Sequence, residues 1–240
     1  MGSMLAGLLL AGPASQAAAS ACAPAPNQPD MLEPVNTLVS SVSPIATDTR
    51  IHWTRWHKRV LYGRYSELRG QVVTDDGAIP DASVDLYTRR AGSSEWVKRR
   101  STTTDSDTGV FVFDCLRPRV TISYRVVYDG TLLYEATRGM RTTRVVRRVP
   151  DSMSQVAPER FRYRGSVEPS YAERRVLLQR KACTSCRWNT VQRTQTNDRS
   201  RWRFTINTSG YSGRRWFRAV VPGDKFYARS VSFHVWRITS

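Results

Sequence analysis

The chain has 240 residues, 40% hydrophobic and 24% charged, and its 37 basic residues outnumber 20 acidic ones to give a formal charge of +17. This length suits one large domain or two of roughly 100 residues each, and the apolar content excludes a wholly disordered chain. No apolar run approaches the ~20 residues that a membrane-spanning helix needs. Three histidines and no catalytic fingerprint argue against most hydrolytic chemistry.

The first residues have the composition of an export signal. A short apolar run over 4–11 leads into an Ala/Ser stretch that ends at Ala21. Small residues before a cut are what a signal peptidase accepts, so 1–22 is predicted to be a signal peptide and the protein to be extracellular or on the cell surface. Cys22 leaves a second interpretation open, a lipid-modified cysteine that holds the protein on the outer face of a membrane.

Residues 23–50 are rich in Pro, Ser, Thr and Asn and contain one basic residue, Arg50, which is typical of a flexible tether. From residue 51 onward there are 36 basic and 17 acidic side chains, and all but four of the basic residues in the chain are arginines. A net positive charge this large on an exported protein indicates that its partners are anionic. We expect anionic cell-wall polymer or lipid head groups, and we do not expect nucleic acid.

Turn signals recur every 8 to 12 residues from about residue 60, with short alternating apolar runs between them. In Arg201–Ile206, for example, Trp202, Phe204 and Ile206 share one face, as a half-buried strand requires. No segment shows a sustained helical period. The pattern predicts an all-β fold of the sandwich type.

An internal repeat divides the body of the chain. Seven features recur in order with offsets of 91 to 95 residues, among them Gly70 and Gly165, Leu86 and Leu178, Trp96 and Trp188, Tyr124-Arg125 and Phe217-Arg218, and Tyr134 and Tyr227. The repeat predicts two β-sandwich domains, 51–149 and 157–240, joined by a linker at 150–156. The tryptophan of each repeat is interpreted as the large core filler, and the arginine after each inward aromatic is expected to point outward.

The first repeat resembles a known class of module. Leu68-Arg69-Gly70-Gln71-Val72, Gly77-Ala78-Ile79-Pro80, Ala82–Tyr87 and Phe111-Val112-Phe113 together are similar to bacterial immunoglobulin-like modules and to transthyretin-like, carboxypeptidase-regulatory-type sandwiches. The second repeat is similar but lacks the proline-containing turn. The resemblance implies tandem immunoglobulin-like sandwiches in an exported protein, acting as spacers, adhesive units or binding accessories without catalysis. It specifies the fold better than the ligand.

Cys183 and Cys186 form a C-x-x-C between two strand-like runs. The ends of a four-residue turn lie within about 7 Å, close to disulfide range, so we expect a disulfide across a hairpin tip in an oxidising compartment. A zinc site or a redox pair is the alternative, although only His234 offers a further ligand nearby. Cys115 is interpreted as a lone thiol, with a bridge to Cys22 as the alternative. No metal and no cofactor are expected.

Two groups of residues are candidates for binding. An aromatic-basic patch interleaves tryptophans with cations at the start of the first domain, and it comprises Trp53, Arg55, Trp56, Lys58 and Arg59. Such a pattern can stack on rings while its cations meet phosphate. The alternative is an edge strand whose tryptophans cover one end of the sandwich. The candidate polyanion-binding arginines are Arg144, Arg147, Arg148, Arg162, Arg164, Arg201, Arg203 and Arg218.

The sequence therefore predicts a non-enzymatic, exported protein that attaches electrostatically to an anionic polymer or lipid surface at the cell exterior. The alternative is a protein–protein adhesion or accessory module that docks a partner enzyme or receptor.

Overall fold

Alternating apolar residues make almost every segment of the body a strand. The computed structural model describes residues 46–239, and within that range it has sixteen β-strands and no helix. The amino-terminal half has β1 (Arg50–Trp56), β2 (Arg59–Leu61), β3 (Ser66–Val73), β4 (Ser83–Arg90), β5 (Val97–Thr103), β6 (Val110–Leu116), β7 (Ile122–Tyr128) and β8 (Thr137–Val146). The carboxy-terminal half has β9 (Asp151–Ala157), β10 (Arg160–Ser166), β11 (Arg175–Lys181), β12 (Asn189–Gln195), β13 (Arg201–Asn207), β14 (Arg214–Val221), β15 (Ser230–Val231) and β16 (Trp236–Thr239). The predicted all-β class is confirmed.

The amino-terminal half has a three-stranded sheet in the order β1-β3-β6 and a five-stranded sheet in the order β2-β8-β7-β4-β5. Neighbouring strands are antiparallel except β2, which runs parallel to β8. β3 shows the cause of the arrangement, because its exposure alternates along the strand and places Leu68 and Val72 fully in the core. The buried cluster comprises Leu68, Val72, Ile79, Ala82, Val84, Leu86, Phe111, Phe113, Tyr124, Val126 and Tyr128.

The carboxy-terminal half repeats this plan. One sheet has the order β9-β10-β13, and the other has β12-β11-β14-β15, with β16 also paired to β14. Along β13, Trp202, Phe204 and Ile206 are buried and the intervening side chains are exposed, as the alternation predicted. The buried cluster comprises Val149, Tyr163, Val167, Tyr171, Val176, Leu178, Trp202, Phe204, Ile206, Phe217, Ala219, Val221 and Ile238.

Gly70 and Gly165 occupy equivalent places in the two halves. Gly70 pairs with Phe111 across β3 and β6, and Gly165 pairs with Trp202 across β10 and β13. A Cβ atom would lie 2.6 Å from the Phe111 ring at Gly70 and 2.5 Å from the Trp202 ring at Gly165. An aromatic ring therefore occupies the space that each glycine leaves, so the sequence repeat corresponds to a repeated packing arrangement.

The segment 150–156, expected to be a linker, belongs largely to β9. This strand pairs with β10 as β1 pairs with β3: Asp151 lies opposite Gly165, and Trp53 lies opposite Gly70. The physical reason is that an uncovered edge of β10 would leave a row of backbone N–H and C=O groups unpaired. Polar composition made the segment resemble a connection, but edge strands in sandwiches are commonly polar on their outer face.

The predicted tether, 23–50, ends inside the folded body. The Thr47 amide donates to the Leu133 carbonyl at 2.8 Å, and the Thr47 carbonyl accepts from the Glu135 amide at 2.9 Å. Arg50 begins β1. The rest of the tether up to residue 45, the predicted signal peptide 1–22 and Cys22 lie outside the described residues.

Trp96 and Trp188, interpreted from the sequence as core fillers, lie outside the buried clusters. The guanidinium carbon of Arg125 is 4.6 Å from the centre of the Trp96 ring, and that of Arg218 is 4.1 Å from the centre of a Trp188 ring. In each half the aromatic residue just before the arginine points inward, which leaves the arginine on the outer face of the larger sheet. The repeat therefore preserves an outer Trp–Arg stack.

Candidate functional site

Four of the predicted arginines lie together on the outer face of the β9-β10-β13 sheet. Both β10 and β13 turn alternate side chains to the core, and the outward positions include Arg162, Arg164, Arg201 and Arg203. We call these four residues the arginine face. Adjacent strands lie about 4.8 Å apart and alternate residues about 6.8 Å apart, so the four side chains project from a regular grid of these spacings.

Within residues 46–239, no carboxylate forms an ion pair with the arginine face. Arg164 lies directly opposite Arg203, and Arg162 lies opposite the neutral Thr205. On the other side Arg164 Nε donates to Ser152 Oγ at 3.4 Å, again a neutral partner. Like charges that face each other directly across a sheet are destabilising. A bound anion would relieve this repulsion.

The arginine face borders an open depression of about 750 Å³. Its lining combines cations with neutral hydrogen-bonding side chains, in particular Arg164, Arg201, Arg203, Thr194, Gln195 and Asn197. These groups donate to phosphate, sulfate or carboxylate oxygens, and arginine does so through two N–H groups at once.

One acidic residue, Asp151, also lines this depression. Its side chain is fully buried and is committed to internal partners. Trp236 Nε1 donates to Asp151 Oδ2 at 2.6 Å, the Tyr163 hydroxyl donates to the same oxygen at 3.2 Å, and His234 Nδ1 lies 3.1 Å from Oδ1. The carboxylate ties β9 to the end of the chain and points away from the arginine face.

Arg147 was predicted to lie at the surface, and this is wrong. Its side chain is only 3% exposed, and its Nη2 lies 2.9 Å from Asp224 Oδ2. Its guanidinium carbon is 3.9 Å from the centre of the Tyr227 ring and 4.7 Å from that of Tyr171. The buried cation needs a carboxylate and two aromatic faces because an isolated charge in the interior is costly. Arg147 therefore joins the two halves and is not available to a polymer.

The carboxylate that pairs with Arg147, that of Asp224, has a lowered pKa. Burial raises the pKa of Asp224, but this is outweighed by hydrogen bonds from Arg147 and from the Phe226 and Tyr227 amides, at 2.9 and 2.8 Å, so the pKa is lowered overall. A second cation, Arg174, lies 3.2 Å from Asp224 Oδ2 at the surface.

Two other predicted arginines lie apart from the arginine face and have partners of their own. Arg148 lies 3.6 Å from Glu168 in an exposed ion pair. Arg218 donates to Gln179 Oε1 from Nε and Nη2, at 3.0 and 2.8 Å, while it stacks on Trp188. Burial, and secondarily the charge of Arg229, lowers the pKa of Arg218.

A second basic site lies on the sheet with the order β2-β8-β7-β4-β5, beside the end of β1. A cavity of about 620 Å³ is lined there by Trp56, Lys58, Arg59, Arg89, Ser123, Met140, Arg141, Thr142 and Arg144. We call it the cationic pocket. It unites Trp56, Lys58 and Arg59 of the aromatic-basic patch with Arg144, which the sequence had placed in the other group of candidates. Arg55 is exposed on β1 and does not line the pocket.

Tryptophans hold two of the four arginines of the cationic pocket in place. The guanidinium carbon of Arg141 lies 5.1 Å from the centre of the Trp53 ring and 4.6 Å from that of Trp56. Burial between them lowers the pKa of Arg141. Arg89 stacks on Trp96 at 4.8 Å. The tryptophans of the predicted patch thus orient cations, and Trp53 also packs edge-on against Phe111 of the core at 6.0 Å.

Sequence reasoning missed Arg89 and Arg141. A signal for Arg141 was present, because it has the same strand parity as Thr143 and Val145, which are buried. An arginine at an inward position needs an aromatic or acidic partner, and this requirement could have singled it out. Arg89 gave no such signal, since its role depends on Trp96 and on the neighbouring strand β7.

The C-x-x-C motif lies in the turn between β11 and β12. The sulfur atoms of Cys183 and Cys186 are 2.09 Å apart and their Cα atoms 5.0 Å apart, which places the pair at disulfide distance. Cys115, interpreted from the sequence as a lone thiol, is also disulfide-bonded.

No family model and no curated protein matches the chain. Similar solved structures include a tetra-tandem repeat from the extending region of a large adhesion protein, with 12% identity, a TM-score of 0.33, and coverage of 80% of this chain and 49% of that one. A DUF4785 family protein from Legionella pneumophila has 11% identity, a TM-score of 0.46, and coverage of 71% and 51%. Salmonella alpha-2-macroglobulin has 10% identity, a TM-score of 0.34, and coverage of 79% and 16%.

The chain thus spans about half the length of the first two of these structures. At such identities and scores the similarity carries no argument about function, which rests on the surface of the chain itself. Among residues 46–239 there is no helix long and apolar enough to cross a membrane.

Proposed function

We propose that this is an exported, non-catalytic protein that binds an extended anionic polymer of the cell exterior through the arginine face. The observation that carries the proposal is the set of four arginines on adjacent strands, two of them directly opposite each other, without a carboxylate partner in the described part of the chain. Many weak phosphate or sulfate contacts spread over a sheet surface suit an extended polymer better than a compact ligand.

The N-terminal composition and the resemblance to immunoglobulin-like modules support the location and the absence of catalysis in this proposal. Both are features of the sequence. The arginines stand on strands, so binding has to order their side chains but not the backbone that carries them.

The test measures retention on purified cell wall and on an immobilised polyphosphate resin between 50 and 500 mM NaCl. A variant with Arg162→Gln, Arg164→Gln, Arg201→Gln and Arg203→Gln is compared with a matched variant that loses four exposed arginines elsewhere, Arg64→Gln, Arg138→Gln, Arg187→Gln and Arg214→Gln. Both lose the same charge. The face variant is expected to lose retention and to flatten the logarithmic salt dependence by about 3, because each phosphate contact contributes roughly 0.7 to 0.9 to the slope.

Equal losses in the two variants would mean that net charge alone causes retention, and a flat salt response of the wild type would contradict an electrostatic attachment. Vesicles with anionic lipid are measured in parallel. Retention on vesicles but not on polymer would assign the arginine face to lipid head groups and overturn the polymer proposal.

One observation favours the second candidate, a module that docks another protein. Leu132 and Leu133 are 86% and 61% exposed at the tip between β7 and β8. The tip is held by Thr131, whose Oγ1 accepts from the Leu133 and Tyr134 amides, both at 3.2 Å. Two leucines on an ordered turn form a small apolar contact. If another protein docks on this turn, Leu132→Ser with Leu133→Ser abolishes binding of that protein and leaves polymer retention unchanged.

A further inference from the structure

The cationic pocket has a charge that its own lining leaves uncompensated. Five of its nine lining residues are basic and none is acidic. Among the ion pairs of the described residues, none includes Lys58, Arg59, Arg89, Arg141 or Arg144. Bringing five cations around one cavity costs free energy unless anions lie between them. The arrangement therefore favours a ligand with several negative charges.

The contacts that fix these cations are neutral, so they orient the charge without cancelling it. Arg141 lies between two indole rings, and Arg89 lies on a third. Arg59 Nη2 donates to the Arg229 carbonyl at 2.6 Å. Lys58 Nζ is 5.5 Å from the centre of the Trp56 ring. A guanidinium fixed in this way loses little entropy when it binds phosphate through two N–H groups.

The size and the remaining lining of the cationic pocket define the ligand further. A volume of about 620 Å³ is in the range of sites for small molecules and is too small to enclose a polymer. The hydroxyl groups of Ser123 and Thr142 lie 3.0 Å apart and line the same cavity, where they can bond to ligand hydroxyls. Met140, 58% exposed, adds an apolar contact. A hydroxyl-bearing ring with charged substituents matches these features.

We propose that the cationic pocket binds a compact sugar or cyclitol that carries two or more phosphate or sulfate groups. This is a second binding site, separate in residues from the arginine face, and it does not depend on polymer binding. Arg141 and Arg89 are the oriented donors, and Lys58, Arg59 and Arg144 complete the ring of charge around the ligand.

The experiment is isothermal titration calorimetry at 150 mM NaCl with three probes: myo-inositol hexakisphosphate, sucrose octasulfate and glucose 6-phosphate. The wild type is expected to bind a multiply charged probe at least tenfold more tightly than glucose 6-phosphate. Arg144→Gln removes an exposed residue whose loss leaves the core intact, and it is expected to weaken binding about tenfold, the usual effect of losing one charge-assisted hydrogen bond. Arg89→Gln is expected to have an effect of the same size.

The matched control is Arg187→Gln with Arg214→Gln, which removes two exposed charges that line neither the cationic pocket nor the arginine face and should leave probe binding unchanged. Equal weakening by the pocket and control variants would overturn the site, as would undetectable binding to the wild type or equal affinity for glucose 6-phosphate. Preference for the hexakisphosphate or for the octasulfate identifies the charged group. Polymer retention of the same variants, measured separately, distinguishes failure of this inference from failure of the proposed function.

Discussion

Arg164 and Arg203 face each other directly across β10 and β13, with Cα atoms in register and neither guanidinium in an ion pair with a carboxylate among the described residues. Both side chains are exposed. A pair of opposite charges at this place would stabilise the sheet, whereas two like charges weaken it. The pairing of Arg164 with Arg203 therefore lowers the stability of the sheet while it favours anion binding, a trade-off that is common at functional residues.

Replacing one of these arginines should change stability and binding in opposite directions. Arg203→Gln is expected to raise the free energy of unfolding by about 0.2–0.5 kcal/mol at low salt, because it removes the repulsion from Arg164. Urea unfolding at 20 and 500 mM NaCl checks this, since salt should screen the gain away. Polymer retention should fall in the same variant. Thr205→Gln, on the same strand face, serves as the control, and a loss of stability in Arg203→Gln at both salt concentrations would refute the repulsion.

The buried pair of Arg147 and Asp224 should make stability depend on pH. The pKa of Asp224 is lowered in the folded protein, whereas it is about 3.9 in an unfolded chain. The stabilisation is therefore complete above the unfolded value and is lost as the pH falls through the folded value. We expect Asp224→Asn to be less stable than the wild type near neutral pH, with a difference that shrinks as the solution is acidified.

Urea unfolding of both proteins between about pH 2.5 and pH 7 tests this linkage. Glu168→Gln is a suitable control, because its carboxylate forms only an exposed pair with Arg148 and should contribute little at any pH. A difference between wild type and Asp224→Asn that is constant with pH would contradict the assignment.

The equivalence of Gly70 and Gly165 predicts equal sensitivity to a single methyl group. Alanine at Gly70 would meet the His52 carbonyl at 2.6 Å, and alanine at Gly165 would meet the Pro150 carbonyl and the Trp202 ring. Each substitution is expected to cost roughly 1–3 kcal/mol, as overpacking does, and the two costs should add because the sites lie in separate cores. The controls are Arg69→Ala and Arg164→Ala, the exposed residues just before each glycine. Tolerance at one glycine and not at the other would show that the halves pack differently.

The sequence was sufficient for the features that depend on neighbours along the chain. Side-chain parity is a local property of a strand, so the alternation in Arg201–Ile206 identified both the buried aromatics and the outward arginines of β13. The order of the repeated features likewise located β3, β4, β6, β7 and their counterparts, because strands of equal length joined by similar turns recur at a nearly constant offset. The same parity, continued from β8 into the residues that follow it, would have placed Arg147 inward, together with Val145 and Val149.

Sequence reasoning failed where a residue's environment is supplied by a distant segment. Nothing near Arg147 indicates that Asp224 and Tyr227 will enclose it, and nothing near Trp96 indicates that Arg125 will cover its outer face. The polar composition of 150–156 indicated a connection, but the free edge of β10 converts it into β9. In each case the deciding interaction joins segments that strand pairing or the junction of the two halves brings together.

What the residues alone determined was a duplicated β architecture, its inward and outward faces, and a large excess of arginine, because these follow from periodicity and composition. Only the tertiary structure decided which arginines are neutralised in the interior and which remain unpaired. Solvation and charge pairing depend on the distances between side chains on different strands, and local sequence patterns do not give those distances.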